Sequence, residues 1–192
     1  WLVKPVKPAD LITAVTSRIR RCREIVRALS APAAKVRDHG LLPRPEFLKL
    51  AREHLDTQEG RRGAEALLIL TIDQAGQLRE QLGMVALTEL EDAIARQLIR
   101  FLDDSDEVGA WQEFGFAVLA RRESESDLRR LAERLVGFIR QKPYFVGGRE
   151  QALTASAGFV SSSVARRQLE RWVNAAVAAN QTVARRGGNG IE

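Results

Sequence analysis

The side chains best suited to chemistry are scarce in this chain, and their spacing excludes several reactions. Ser161-Ser162-Ser163 offers hydroxyls, but no glycine elbow frames them and no histidine is placed to activate one. They read as the cap between a strand and a helix. His39 falls in a linker and His54 on an amphipathic helix, neither with a ligand-spaced partner, and two histidines with the single Cys22 make no zinc site. Gly187-Gly188-Asn189-Gly190 has the composition of a phosphate loop, yet no helix follows it, so it reads as a helix stop. The remaining candidate is a hairpin. In Val108–Ala120 two apolar, β-prone arms, Val108–Trp111 and Phe116–Leu119, flank the turn Gln112-Glu113-Phe114-Gly115.

The elements that must position this hairpin follow from periodicity. Ala66–Asp73 (ALLILTID) is a near-continuous aliphatic run, as expected of a strand covered on both faces. A short helix then ends at Gly83 and a longer one spans roughly Leu87–Leu102. After the hairpin come a helix near Ser126–Lys142, a strand over Leu153–Val160, and a last helix over Val164–Ala184 that buries Trp172. Pro45 opens a helix over Glu46–Leu55 ahead of all of these. The order predicts a mixed, mainly antiparallel sheet flanked by helices, an α/β (α+β) domain.

Upstream, Ile12, Val15, Ile19, Cys22, Val26 and Leu29 recur at alternating three- and four-residue steps. That seam serves equally for a helix packed on its own domain or for a parallel dimer stalk. The expected organisation is a stalk over 1–30, a linker over 31–45, the main domain over 46–189 and an exit linker over 190–192.

The hairpin frame resembles the signature hairpin of diguanylate cyclases, the GGDEF family, whose arms read roughly D-x-V-[AG]-R-[YW] and F-A-[VIL]-L. Asp106, Val108, Gly109, Trp111 and Phe116–Leu119 fit it. Gly40, Leu41, Arg44 and Phe47 match the family's entry pattern G-L-x-x-R-x-x-F, and Gly187-Gly188-Asn189 resembles its closing G-R-N. Lys4-Pro5 ahead of Asp10-Leu11 resembles the tail of a response-regulator receiver domain, whose last helix often continues as a stalk. The resemblance implies a nucleotide-cyclase-like fold and tips the seam towards a homodimer.

The same resemblance places substitutions at the functional positions. Thr71 occupies the metal-ligand position of the family's D-x-D, with Asp73 as the second acid. Gly76 replaces the phosphate-contacting Lys, and Arg79 and Thr88 replace the guanine-reading Asn and Asp. In the turn Gln112 and Glu113 replace two glycines, Phe114 the metal-binding acid and Gly115 the Glu after it. Magnesium takes oxygen ligands, usually including carboxylates, and Phe114 supplies none. In the inhibitory R-x-x-D pattern, Asp106 is kept and Asp103 stands for the Arg. In the last helix Ala178 and Gln181 replace a tyrosine and a lysine.

The expectation is therefore a domain without cyclase activity, metal or other cofactor. GTP and cyclic-di-GMP binding are not expected. Its role would be regulatory, between a receiver and an EAL-type output domain or separate protein partner, within the cytoplasm, which the lone cysteine also suits. A GTP sensor without turnover is the alternative. A nucleic-acid module is a further one, invited by a net charge of +5. Arg121–Arg130 interleaves its arginines with acids, however, which fits a solvated surface better than a phosphate-tracking groove.

Overall fold

The aliphatic run forms the centre of the sheet because it can be buried on both sides. In the computed structural model, which describes residues 40–57, 63–146, 148–165 and 168–192, β1 spans Ala64–Ile72. Leu68, Leu70 and Ile72 face one core, and Leu67 and Ile69 face another. β2 (Glu107–Gln112) and β3 (Gly115–Arg122) form the hairpin, and β6 (Ala155–Ser161) lies on the far side of β1. With β7 (Gly190–Ile191) at one edge, the strand order is β2-β3-β1-β6-β7, antiparallel except for the parallel pair β6-β7. The mixed, mainly antiparallel sheet matches the expected fold class.

Helices cover both faces. α1 (Arg44–Asp56) and α5 (Leu169–Arg185) pack on one through Phe47, Ala51, Leu169, Trp172 and Ala176. α2 (Ala75–Phe101) and α3 (Glu125–Gln141) close the other through Leu90, Ile94, Leu98, Leu128, Leu135 and Ile139. The Ser124 hydroxyl accepts from Asp127 N at 3.2 Å, capping α3. Among the described residues no helix is long and apolar enough to cross a membrane.

Several boundaries differ from the sequence expectation. Gly83 interrupts α2 with φ 70° and ψ 163°, the expected break, but the helix resumes at Met84 instead of Leu87. A positive φ there is tolerated because glycine has no Cβ. The end of the expected linker belongs to the sheet edge: Leu42 N donates to Val108 O at 3.0 Å, Ala110 N donates to Leu42 O at 2.8 Å, and α1 already begins at Arg44. Gly190–Ile191, expected as exit linker, is β7 and pairs with Ser156 and Ala157 of β6. The last helix starts at Leu169, after the four-residue α4 (Ser162–Ala165). A separate hairpin, β4 (Tyr144–Val146) with β5 (Arg149–Gln151), has no counterpart in the sequence reading. The seam Ile12–Leu29 and the receiver-like tail lie outside the described residues.

Burial has a measurable consequence in β4. The Tyr144 hydroxyl is buried without a hydrogen-bond partner among the described residues, and burial pushes the phenol from its usual 10.0 up to about 12. The folded state thus holds its proton where the unfolded chain releases it. The associated stability is complete below pH 10 and is lost as pH rises to about 12, a term of roughly 2–3 kcal/mol. Tyr144→Phe is expected to match the wild type in urea unfolding below pH 9 and to lose less stability between pH 10 and 12.

Candidate functional site

The site positions converge at the C-terminal end of β1, the start of α2 and the hairpin turn. Thr71 does not present a free oxygen. Its Oγ1 donates to Asn180 Oδ1 at 3.2 Å, and Asn180 Nδ2 lies 3.1 Å from the same hydroxyl. Asn180 comes from α5, is buried, and its Nδ2 also donates to Ser156 O at 2.7 Å and Ile69 O at 3.1 Å. A buried amide must find such partners or forfeit its hydration without return. Asp73, two residues on, accepts three donors: Thr154 Oγ1 at 2.7 Å, Ser156 Oγ at 2.6 Å and the backbone N–H of Asn189 at 2.9 Å.

The hairpin turn is tighter than expected. Gln112 pairs directly with Gly115, leaving Glu113 and Phe114 as the two turn residues. Phe114 adopts φ 53°, in the left-handed region, and its side chain is only 1% exposed, within the core that contains Leu78, Leu87 and Phe116. Its backbone is held at both ends, with Phe114 O accepting from Ile72 N at 2.9 Å and Phe114 N donating to Glu91 Oε1 at 3.3 Å. The position that the resemblance assigns to a metal-binding acid is thus occupied by a core side chain. A Cβ on Gly115 would stand 2.5 Å from Gln112 Cγ, so a side chain at the residue that ends the turn would require the Gln112 side chain to move.

Beside the turn lies a cleft of about 430 Å³, lined by Leu87, Thr88, Trp111, Gln112, Glu113 and Phe114 among others. The Arg44 guanidinium stacks over Trp111, 4.0 Å from the ring centroid. Arg79 and Glu113, two of the positions the resemblance assigns to the site, form an ion pair that ties the first segment of α2 to the turn. Thr88 Oγ1 donates back to Met84 O at 3.1 Å within its own helix while its residue lines the cleft. Gly76 is exposed, with open space where a Cβ would sit.

This donor set does not suit a divalent cation. One candidate oxygen is a threonine hydroxyl already bonded to an amide, the Asp73 carboxylate accepts from three donors, and the turn contributes an aromatic ring. Among the described residues no group of three or more His, Cys, Asp and Glu could hold a metal ion.

Asp103 and Asp106 meet a cation that the sequence reading did not single out. Arg122, at the end of β3, forks onto Asp106 with both contacts at 2.7 Å and reaches Asp103 Oδ2 at 3.0 Å. The Asp106 side chain is fully buried, and its hydrogen bonds to Arg122 raise the guanidinium pKa further above its usual value. Asn180 and the hydroxyls of Thr154 and Ser156 were likewise missed. Of these, Asn180 left a trace, because it falls in step with Trp172, Ala176 and Val183 on the apolar face of its helix. Ala178 and Gln181, the positions the resemblance did assign, are both exposed.

Comparison with known proteins agrees with this architecture. The family model described as diguanylate cyclase, GGDEF domain, matches residues 40–190. A relative from Thiocystis violacea, an uncharacterized 76.5 kDa protein in the phbC 3′ region, is 26% identical over 135 residues; these make up 70% of this chain and 20% of that protein. The chain therefore spans about a fifth of that relative's length. Among solved structures, the GGDEF domain of FimX from Pseudomonas aeruginosa superposes with a TM-score of 0.75 at 18% identity, covering 84% of this chain and 99% of that one. The coiled coil and GGDEF domain of DgcB from Caulobacter crescentus, in complex with c-di-GMP, gives 0.75 at 18% identity over 94% and 96%. Diguanylate cyclase SiaD from Pseudomonas aeruginosa, in complex with its activator SiaC, gives 0.75 at 24% identity over 95% and 70%. The fold is that of the GGDEF domains of cyclic-di-GMP signalling proteins. This chain belongs to the diguanylate cyclase GGDEF-domain family.

Proposed function

We propose that this is a GGDEF domain that does not turn over GTP and serves as a regulatory and dimerisation module in a cyclic-di-GMP signalling protein. The observation that carries the reading is Phe114, whose ring is packed in the core at the position of the family's metal-binding acid. Joining two nucleoside triphosphates requires a cation to offset their charge and activate the attacking hydroxyl. Thr71, bonded to Asn180, and Asp73, with three donors of its own, leave that cation without a ligand set. The Arg79–Glu113 pair further ties the turn to α2 beside the cleft.

On this reading the module works in the cytoplasm between a receiver and an EAL-type output domain, or against a separate protein. Neighbours with the same fold support both halves of that role, one carrying a coiled coil and one bound to its activator protein. The test is a titration with GTP and with cyclic-di-GMP in magnesium and in manganese, with product assayed alongside. No binding and no product is the expected result, and product would overturn the reading. GTP binding without turnover would favour the sensor alternative, for which the cleft beside Thr88 offers the space. Dimerisation is tested by sedimentation: charged residues at Ile19 and Val26 are expected to weaken the dimer, and a monomeric wild type would remove the stalk from the proposal.

A further inference from the structure

The carboxylate of Asp73 stands at a junction of three segments. Its own backbone N–H donates to Thr154 O at 2.9 Å, which fastens the end of β1 to the approach of β6. Its side chain then accepts from Thr154 on that approach, from Ser156 within β6, and from the backbone of Asn189. The turn that delivers the Asn189 N–H is unusual. Gly187, Gly188 and Asn189 follow one another with φ of 109°, 74° and 54°, all in the left-handed region. For Asn189 this is a conformation that L-residues seldom hold without support. A Cβ on Gly188 would lie 2.6 Å from Asp73 Cγ, so the turn is pressed against the carboxylate.

Immediately beyond this turn the chain enters the sheet. Gly190 and Ile191 pair in parallel with Ser156 and Ala157, Glu192 N donates to Ala157 O at 3.1 Å, and Phe159 N donates to Glu192 O at 2.9 Å. Arg186 Nη1 meets Glu192 Oε2 at 2.8 Å, closing the turn from outside. A two-residue parallel strand has little cohesion of its own, since such pairs are slightly weaker per residue than antiparallel ones. What fixes its approach is the turn, which is held on one side by the end of α5, where Gly188 N donates to Val183 O at 3.0 Å, and on the other by Asp73.

We infer that Asp73 is a clasp that sets the course of β7, making it a positioning residue for the path by which the chain leaves the domain. The same carboxylate is bonded to the β6 approach and lies one residue beyond Ile72, whose N–H holds the hairpin turn through Phe114 O. The exit is therefore anchored to the strand end that carries the site positions. The importance of that anchoring for signalling rests on the proposed role of the domain ahead of an output module; the clasp itself does not.

Hydrogen exchange on the full chain tests it, with Asp73→Ala and Asp73→Asn compared with the wild type. Asp73→Ala is expected to speed exchange of the Glu192 and Phe159 amides at least tenfold while the Leu131–Leu135 amides of α3 stay within about twofold. Asp73→Asn, which keeps one acceptor oxygen but loses the charge, is expected to fall between. Unchanged exchange at Glu192 and Phe159, or an equal increase across α3, would overturn the clasp. Either of those results leaves the non-catalytic reading standing, whereas product formation by the wild type would remove that reading and leave the clasp intact.

Discussion

Gly158→Ala is expected to destabilise the domain by about 3 kcal/mol, at the upper end of what overpacking costs. A Cβ at this position in β6 would sit 2.2 Å from Ala176 O and 2.2 Å from Asn180 N, both backbone atoms of α5. Neither can swing away as a side chain could, so α5 as a whole must shift from the sheet. That movement strains contacts that depend on its present height. Trp172, fully buried, donates its indole N–H to Val160 O at 2.8 Å. Asn180 spans from Ser156 to Thr71. Buried donors that lose their acceptors cost about 1–3 kcal/mol each, so the helix and its polar contacts should yield together. Urea unfolding of Gly158→Ala against wild type checks this, and unfolding free energies within about 0.5 kcal/mol of each other would mean that α5 has room to spare above the sheet.

That close approach was not legible in the sequence, and the reason is general. Gly158 sits inside a strand pattern, where a glycine marks a bulge, a bend or a neighbouring backbone without saying which. Features that could be read were those with a long local signal. The Ala66–Asp73 run and buried Trp172 are set by pattern over many residues, and the Gly83 break shows because a helical pattern lies on either side of one glycine. Elements of two or three residues, β4, β5 and β7, carry too few positions for a period to show. The site divides in the same way. Thr71, Asp73, Arg79 and Glu113 could be located from the resemblance, but their partners could not. Arg79–Glu113, Asp73–Asn189 and Arg122–Asp106 each join residues that only the tertiary fold brings together. The resemblance placed Asp103 where the family has an Arg and kept Asp106; it did not show that in the fold the two share the guanidinium of Arg122.

Phe114 is the clearest case of a position whose identity could be read and whose role could not, and placing there the acid that the resemblance leads one to expect tests what its ring does. If Phe114 were only an absent ligand, the double change Thr71→Asp with Phe114→Glu would return two carboxylates to the site. The structure gives a different expectation. The Phe114 ring is 1% exposed, and removing a buried Phe side chain costs about 3–5 kcal/mol. A carboxylate in its place would be buried in the apolar core that contains Leu78, Leu87 and Phe116 and would lie beside Glu91 of α2, whose Oε1 already accepts from the Phe114 amide. At position 71 a carboxylate could still accept from Asn180 Nδ2, but it would lose the hydroxyl's donation to Asn180 Oδ1 and face that oxygen as a further acceptor. The double variant is therefore expected to lose at least about 4 kcal/mol in urea unfolding and to form no cyclic-di-GMP in magnesium or manganese. Phe114→Leu, which keeps apolar volume, should retain most of the stability. A folded double variant that makes product would show that the turn can leave the core, and Phe114 would then be a vacated ligand position rather than a structural anchor.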